Sequence, residues 1–205
     1  SPVQVDPARL TGLVLLGIKD RDTFPLLFVR ENCADMAVEA SRIDESFIAD
    51  CRALLITGTH LSTPTVRAAS LAALGFAGQH GTTRVLDIDY RPVLWGLTKR
   101  GEGANRFVAD AAVTERLQAV LPQFDLLIGT EEEFRIAGGV AGDLLANLRR
   151  VREVTAAAMV VKLGATTLGT FPLDNTIQAA LPGFDATGTT SVDVVVPAGT
   201  TGPQT

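Results

Sequence analysis

One rhythm limits what this chain can become. Four short apolar runs, "RALLITG" (52–58), "RVLDID" (84–89), "FDLLIGT" (124–130) and "MVVKLG" (159–164), alternate with segments of helical periodicity. In "STPTVRAASLAALGFAGQHG", Ser62 or Thr63 can cap a helix, Pro64 fits its first turn and Gly81 can end it. "NRFVADAAVTERLQAVL" (105–121) places Val113, Leu117, Val120 and Leu121 on one helical face, and "EEEFRIAGG" reads as a further helix. "AGDLLANLRRVREVTAA" does so with Leu144, Leu145, Leu148 and Val151 in register. Continuously apolar strands alternating with helices predict an α/β fold with a doubly wound, mostly parallel sheet covered on both faces.

Residues 11–32, "TGLVLLGIKDRDTFPLLFVREN", do not join this rhythm. Two apolar stretches flank a polar turn at Lys19 to Thr23, which predicts a small separate β-hairpin. The expected organisation is thus a hairpin at 11–32, an α/β core at 45–196 and an irregular tail at 197–205. The last segments, rich in Gly, Thr and Pro, hold one short β-like run.

The bulk chemistry excludes several classes. Of the 205 residues, 46% are hydrophobic and 20% charged, a globular balance. A net charge of −5 without a basic cluster argues against nucleic acid as a partner. No apolar run reaches the roughly 18 residues that a bilayer span needs, and the first residues lack the pattern of a signal peptide. Cys33 and Cys51 form no metal or redox motif, which suggests a reducing compartment, so a soluble cytoplasmic protein is expected. A Walker-type loop, a Gly-x-Ser-x-Gly elbow, a metal-spaced His pair and a dinucleotide Gly-x-Gly-x-x-Gly are all missing.

In open α/β sheets, ligands sit outside the carboxyl ends of the strands. Here those ends are Gly58–His60, Asp87–Arg91, Gly129–Glu133 and Lys162–Thr167. Asp87, Asp89 and Arg91 alternate, so they share a face while the backbone stays extended. A guanidinium there grips a carboxylate or phosphate bidentately, or else closes a structural ion pair. "GTEEEF" sets three carboxylates at a strand-to-helix junction, either as favourable first-turn charges or with one of them organising Mg²⁺. The two glycines of "KLGATTLG" form an ordinary turn, or let backbone approach phosphate or adenine. Arg30 ends the second hairpin strand, where an arginine is commonly solvated. Cys33 reads as an inert thiol and His60 as a hydrogen-bonded turn histidine.

Taken together, "TGLVLLGIKDRDTFPLLFVRENCADMA", "ITGTHLSTP", "VLDIDYRPVLWG" and "FDLLIGTEEEFRIAGG" resemble the pfkB/ribokinase family of carbohydrate kinases, over residues from about Leu10 to Phe171. The resemblance implies a ribokinase-like core with the hairpin as a β lid over a sugar. It implies ATP and Mg²⁺ as cofactors, and transfer of a phosphoryl group to a primary hydroxyl of an acid sugar such as 5-dehydro-2-deoxygluconate, within myo-inositol catabolism. It puts Arg30 and Arg91 on the sugar acid, and Asp87 and Asp89 beside Arg91 read as orienting it, with Asp89 counted in the sugar site. It puts Glu132 at Mg²⁺ and phosphate, and Lys162 and Gly164 at the nucleotide. It also implies a homodimer formed through the lid.

The sequence departs from the family's pattern at several points. Gly129 replaces the Asn of an Asn-x-x-Glu motif, Thr167 replaces a glycine of a Gly-x-x-Gly turn, and Val29 stands where relatives carry Tyr. The family's opening Gly-Gly-x-x-x-Asn segment and its closing Gly-Ala-Gly-Asp, with the base and anion hole, find no match here. No catalytic base is therefore assigned, and a poor kinase of low stability or a tendency to self-associate is expected. The competing expectations are a non-catalytic sugar-binding or interaction module and a truncated gene product.

Overall fold

The computed structural model describes residues 5–17, 26–99, 107–163 and 193–196. The described residues fall into two compact units, one drawn from 1–84 and 89–108 and the other from 85–88 and 109–205.

In the first unit, strands β1 (Leu13–Leu16) and β2 (Leu26–Val29) pair antiparallel, Leu13 opposite Val29 and Leu16 opposite Leu26. Every residue of β1 is exposed, whereas β2 is half-buried throughout. Helix α1 (Glu45–Asp50) begins where Asp44 Oδ1 accepts the Phe47 N–H at 3.1 Å, satisfying one of the open donors of a first turn. Strand β3 (Ala53–Thr57) runs into a tight 3-10 turn at Gly58–Leu61, pinned by the Ser62 hydroxyl donating to the Thr59 carbonyl at 2.6 Å.

Helix α2 (Pro64–His80) follows, with Pro64 in its first turn and Gly81 leaving it in the left-handed conformation at φ 71°. Thr63 is its N-cap residue, but its side chain makes no capping bond. The buried positions Val66, Ala69, Ser70, Ala73, Leu74 and Ala77 recur at helical spacing. Ala73 and Ala77 meet Ile48 of α1, with Ile43, Leu54 and Phe76 around them. The small residues of this stripe let the two helices pack closely. Thr82 ties the unit by donating its hydroxyl to the Ile48 carbonyl at 3.1 Å.

In the second unit, Val85–Asp87 of strand β4 (Thr83–Asp87) pair parallel with β5 (Leu126–Thr130), which pairs parallel with β6 (Ala158–Lys162). Strand β7 (Asp193–Val196) joins β6 antiparallel, Asp193 opposite Lys162. Leu86, Ile88, Leu127, Met159 and Val161 are buried, and each contributes roughly 1.5–3 kcal/mol by leaving water. Helix α3 (Ala111–Gln118) is shorter than its apolar periodicity predicts. Asp110 starts it by accepting the Val113 N–H at 2.9 Å, so residues 107–110 lie outside the helix. Val120 and Leu121 are buried as expected but lie beyond the helix, and Pro122 helps turn the chain into a 3-10 turn at Leu121–Gln123. Helices α4 (Glu131–Gly138) and α5 (Leu144–Val154) pack on each other.

The α/β class with parallel strands is therefore the observed one, with an antiparallel hairpin in the first unit. The tail at 197–205 and the hairpin turn lie outside the described residues.

Candidate functional site

The first unit brings Arg30, Asp35, His60, Asp89 and Arg91 into one electrostatic neighbourhood. Arg30 leaves β2 and folds back on Asp35, with Nε donating to Oδ2 at 2.9 Å and Nη2 forming an ion pair with the same oxygen. Its side chain is only 18% exposed, so it is not the solvated edge arginine that one sequence reading allows. The other oxygen, Asp35 Oδ1, is buried without a hydrogen-bond partner among the described residues. Gly12 lies against this pair; a Cβ added there would stand 3.1 Å from Asp35 Oδ1 and 3.3 Å from Arg30 Cγ.

His60 sits at the carboxyl end of β3, in the 3-10 turn. Thr57 Oγ1 lies 3.5 Å from its Nδ1 and 2.8 Å from Thr59 Oγ1. Burial, reinforced by the charge of Arg30, holds the His60 pKa below its ordinary value, while Asp35 and Asp89 oppose this. The imidazole therefore feels the arginine that follows β2, its acidic partner and the strand-end aspartate together.

Beyond β4 the expected alternation fails. The strand ends at Asp87, and Asp89 takes a positive φ of 32°. Asp87, Asp89 and Arg91 therefore do not continue one extended face. Asp89 Oδ1 pairs with Arg91 Nη2 at 3.1 Å, whereas Asp87 Oδ2 lies 3.8 Å from Lys162 Nζ. Tyr90 turns inward, 1% exposed, and its hydroxyl donates to the Val108 carbonyl at 2.6 Å. The 3-10 turn Pro92–Trp95 then closes on Gly96 at φ 76°. Tyr90 anchors the strand end through this bond, leaving Asp89 and Arg91 half-exposed beside it.

The second unit separates the three carboxylates of "GTEEEF" by role. Thr130 and Glu133 form a reciprocal capping box: the Thr130 N–H donates to Glu133 Oε2 at 2.8 Å and the Glu133 N–H to Thr130 Oγ1 at 3.4 Å. Glu131 pairs with Arg135 one turn on, at 2.6 Å. Glu132 is exposed, and no hydrogen bond or ion pair engages it among the described residues. Of the three, it is the carboxylate at the head of α4 available to a ligand. Among the described residues, no cluster of three or more His, Cys, Asp or Glu could hold a metal by itself. Gly129 is fixed by packing, since a Cβ there would stand 3.0 Å from Ile88 Cδ1 and 3.3 Å from the Phe134 ring. Gly164 and Thr167 lie outside the described residues.

Two members of these groups escape a reading by sequence. Asp35 follows Arg30 by five positions with no motif joining them. His60 reads as an ordinary turn histidine because the charges around it come from distant parts of the chain. The capping box was not read from the sequence, although Thr130 followed three residues later by Glu133 is the signal that would have found it. Cys33 is buried and donates weakly to the Val29 carbonyl at 3.5 Å, in keeping with an inert thiol.

No family model matches the chain. Among curated proteins, it is 37% identical over 125 residues to a 5-dehydro-2-deoxygluconokinase of Geobacillus kaustophilus, covering 61% of this chain and 34% of that protein. A 5-dehydro-2-deoxygluconokinase of Bacillus thuringiensis is 34% identical over the same length and coverage. The chain thus spans about a third of the length of these relatives. Among solved structures, a PfkB protein from Polaromonas matches with a TM-score of 0.61 at 23% identity, over 78% of this chain and 50% of that one. An E. coli putative ribokinase II in complex with ATP and Mg²⁺ matches with a TM-score of 0.57 at 17% identity, over 76% of this chain and 45% of that one. A fructokinase from Vibrio cholerae, bound to fructose, ADP and calcium, matches with a TM-score of 0.59 at 19% identity, over 78% and 47%.

Proposed function

We propose, from a chain homologous to 5-dehydro-2-deoxygluconokinases and folded like PfkB/ribokinase sugar kinases, that these residues serve ATP-dependent phosphorylation of a hydroxyl on an acid sugar. 5-Dehydro-2-deoxygluconate is the substrate this reading favours, and myo-inositol catabolism in the cytoplasm is the setting. One observation carries it: two arginines, Arg30 and Arg91, each held by an aspartate, occur in the unit where Arg30 and Asp89 both act on His60.

A guanidinium held by a carboxylate behind it is pre-aimed, and its planar fork matches the two oxygens of a sugar carboxylate. Arg91 supplies the grip, Asp89 orients it, and Arg30 adds positive charge from the hairpin. The hairpin acts as the lid. Four exposed leucine and valine side chains along β1 suit pairing of two lids in a homodimer.

In the second unit, Glu132, Lys162 and Gly164 are the residues proposed to serve the nucleotide. ATP with Mg²⁺ supplies the phosphoryl group. Glu132 suits Mg²⁺, which binds through one or two protein carboxylates and keeps its waters. Lys162 presents an ammonium for phosphate oxygens, with Asp87 beside it at 3.8 Å. Such a transfer depends mainly on positioning and charge neutralisation. No residue described here is assigned the part of proton acceptor.

Calorimetric titration tests the reading. The chain should bind 5-dehydro-2-deoxygluconate or 2-keto-3-deoxygluconate in preference to fructose, which has no carboxylate. Equal affinity for the neutral sugar would overturn the assignment. Sugar-acid binding with no affinity for ATP and Mg²⁺ would point to a sugar-binding module without transfer chemistry.

A further inference from the structure

We propose that His60 is a specificity residue that contacts the ligand, its Nε2 donating a hydrogen bond to an oxygen of the hydroxylated carboxylate that Arg91 holds. The inference rests on the acid-sugar reading of the first unit and extends it to a residue that neither the sequence motifs nor the family resemblance assigns.

The geometry is specific. His60 occupies the carboxyl end of β3, where ligands of open α/β sheets are read. Its backbone is fixed in a 3-10 turn by the Ser62 hydroxyl on the Thr59 carbonyl. Its Nδ1 faces the Thr57 hydroxyl at 3.5 Å, and that hydroxyl is joined to Thr59 Oγ1 at 2.8 Å. The Thr57 hydroxyl can donate to Nδ1, which leaves the proton on Nε2 and aims the ring. Nε2, by contrast, has no partner among the described residues, and it is not among the buried unpartnered atoms, so solvent or a ligand can reach it. A half-buried ring with one nitrogen engaged and the other open is arranged to meet something from outside. The charged groups acting on it are Arg30, Asp35 and Asp89, the first two paired with each other and the third the partner of Arg91.

The class of ligand follows from the same charges. Arg30 disfavours a proton on the ring, as does burial. A bound carboxylate would offset the charge of Arg30 and return that proton. The imidazole pKa should therefore rise when an anion binds, and linkage then makes the anion bind more tightly as pH falls through the pKa of the complex. A neutral sugar would produce no such rise. His60 thus discriminates between acid and neutral sugars as well as contacting one of their oxygens.

The test is calorimetry of 5-dehydro-2-deoxygluconate against wild type and His60→Gln from pH 5.5 to 8, with NMR titration of the wild-type imidazole. The chain has two histidines, so His80→Gln assigns the resonances. Expected are an upward shift of the His60 pKa on binding, tighter wild-type binding at acid pH, and loss of that pH dependence in His60→Gln. Affinity at pH 7 should fall about fivefold to tenfold in the variant. Wild-type binding with an unshifted His60 pKa, or with a pH profile that His60→Gln retains, overturns this inference alone. Failure of the wild type to bind overturns the acid-sugar reading, and this inference with it. The imidazole titration needs no variant at position 60, so a folding defect in His60→Gln cannot mask the result.

Discussion

Asp89 Oδ1 lies 3.1 Å from Arg91 Nη2, and the link is made at a backbone turn where Asp89 has a φ of 32°. Aspartate and asparagine visit the left-handed region more readily than other side chains with a Cβ. Asp89→Asn should therefore keep the turn and change stability by less than about 1 kcal/mol, because the pair is half-exposed. Asp89→Ala should cost more, since it loses the pair and places alanine at positive φ. Urea unfolding of the two variants checks the order; equal losses would mean that the turn does not depend on the side chain.

Gly81 and Gly139 both end helices with left-handed backbones, at φ 71° and 67°. Their surroundings differ. A Cβ at position 81 would meet nothing within 4 Å, whereas at 139 it would stand 2.4 Å from Thr114 Cγ2. Thr114 cannot move freely, because its hydroxyl donates to the Ile136 carbonyl at 2.7 Å. Gly81→Ala should cost about 1 kcal/mol, and Gly139→Ala about 2–4 kcal/mol once the overlap is added. Denaturant midpoints that fall together would show that the Thr114 contact yields easily.

The head of α4 offers a separation of stability from function. Thr130→Val removes the hydroxyl that accepts the Glu133 N–H and should destabilise the chain by about 1 kcal/mol. Glu132→Gln touches no described partner and should leave the melting temperature unchanged, while weakening binding of ATP with Mg²⁺. Thermal melts with nucleotide titrations check both; a large melting shift in Glu132→Gln would mean that the carboxylate is structural.

Much of the architecture was legible because its signals are local. Pro64 and Gly81 bracket α2, and the apolar runs at 124–130 and 159–164 supply the parallel neighbours β5 and β6. The boundaries that failed did so where one residue overrode the periodicity. Asp110 starts α3 late, and Pro122 helps end the helical run before Leu121. The candidate site was less legible. Arg30 and Arg91 stood out as types of residue, but the extended spacing of Asp87, Asp89 and Arg91 was undone by one positive φ. Asp35 and His60 gain their meaning only from neighbours remote in sequence, which no local pattern reports.

Protonation of His60 also bears on folding. Its folded pKa lies below the ordinary 6.5, chiefly through burial, so the unfolded chain holds more protons in that range. Stability should fall as pH drops through about 6.5 and continue falling until the folded pKa is reached. His60→Gln should flatten that part of the profile. Urea midpoints from pH 5 to 8 read this directly, and a wild-type profile that stays flat below pH 6.5 would contradict the burial of the ring.

The proposed grip of Arg91, oriented by Asp89, on the carboxylate of a sugar acid is open to direct measurement. Parallel calorimetric titrations of 5-dehydro-2-deoxygluconate into wild type, Arg91→Lys and Arg91→Ala measure it most directly. Wild type should bind, Arg91→Lys should lose about tenfold because it keeps the charge but not the fork, and Arg91→Ala should show no measurable binding. Wild-type affinity retained by Arg91→Ala would contradict it.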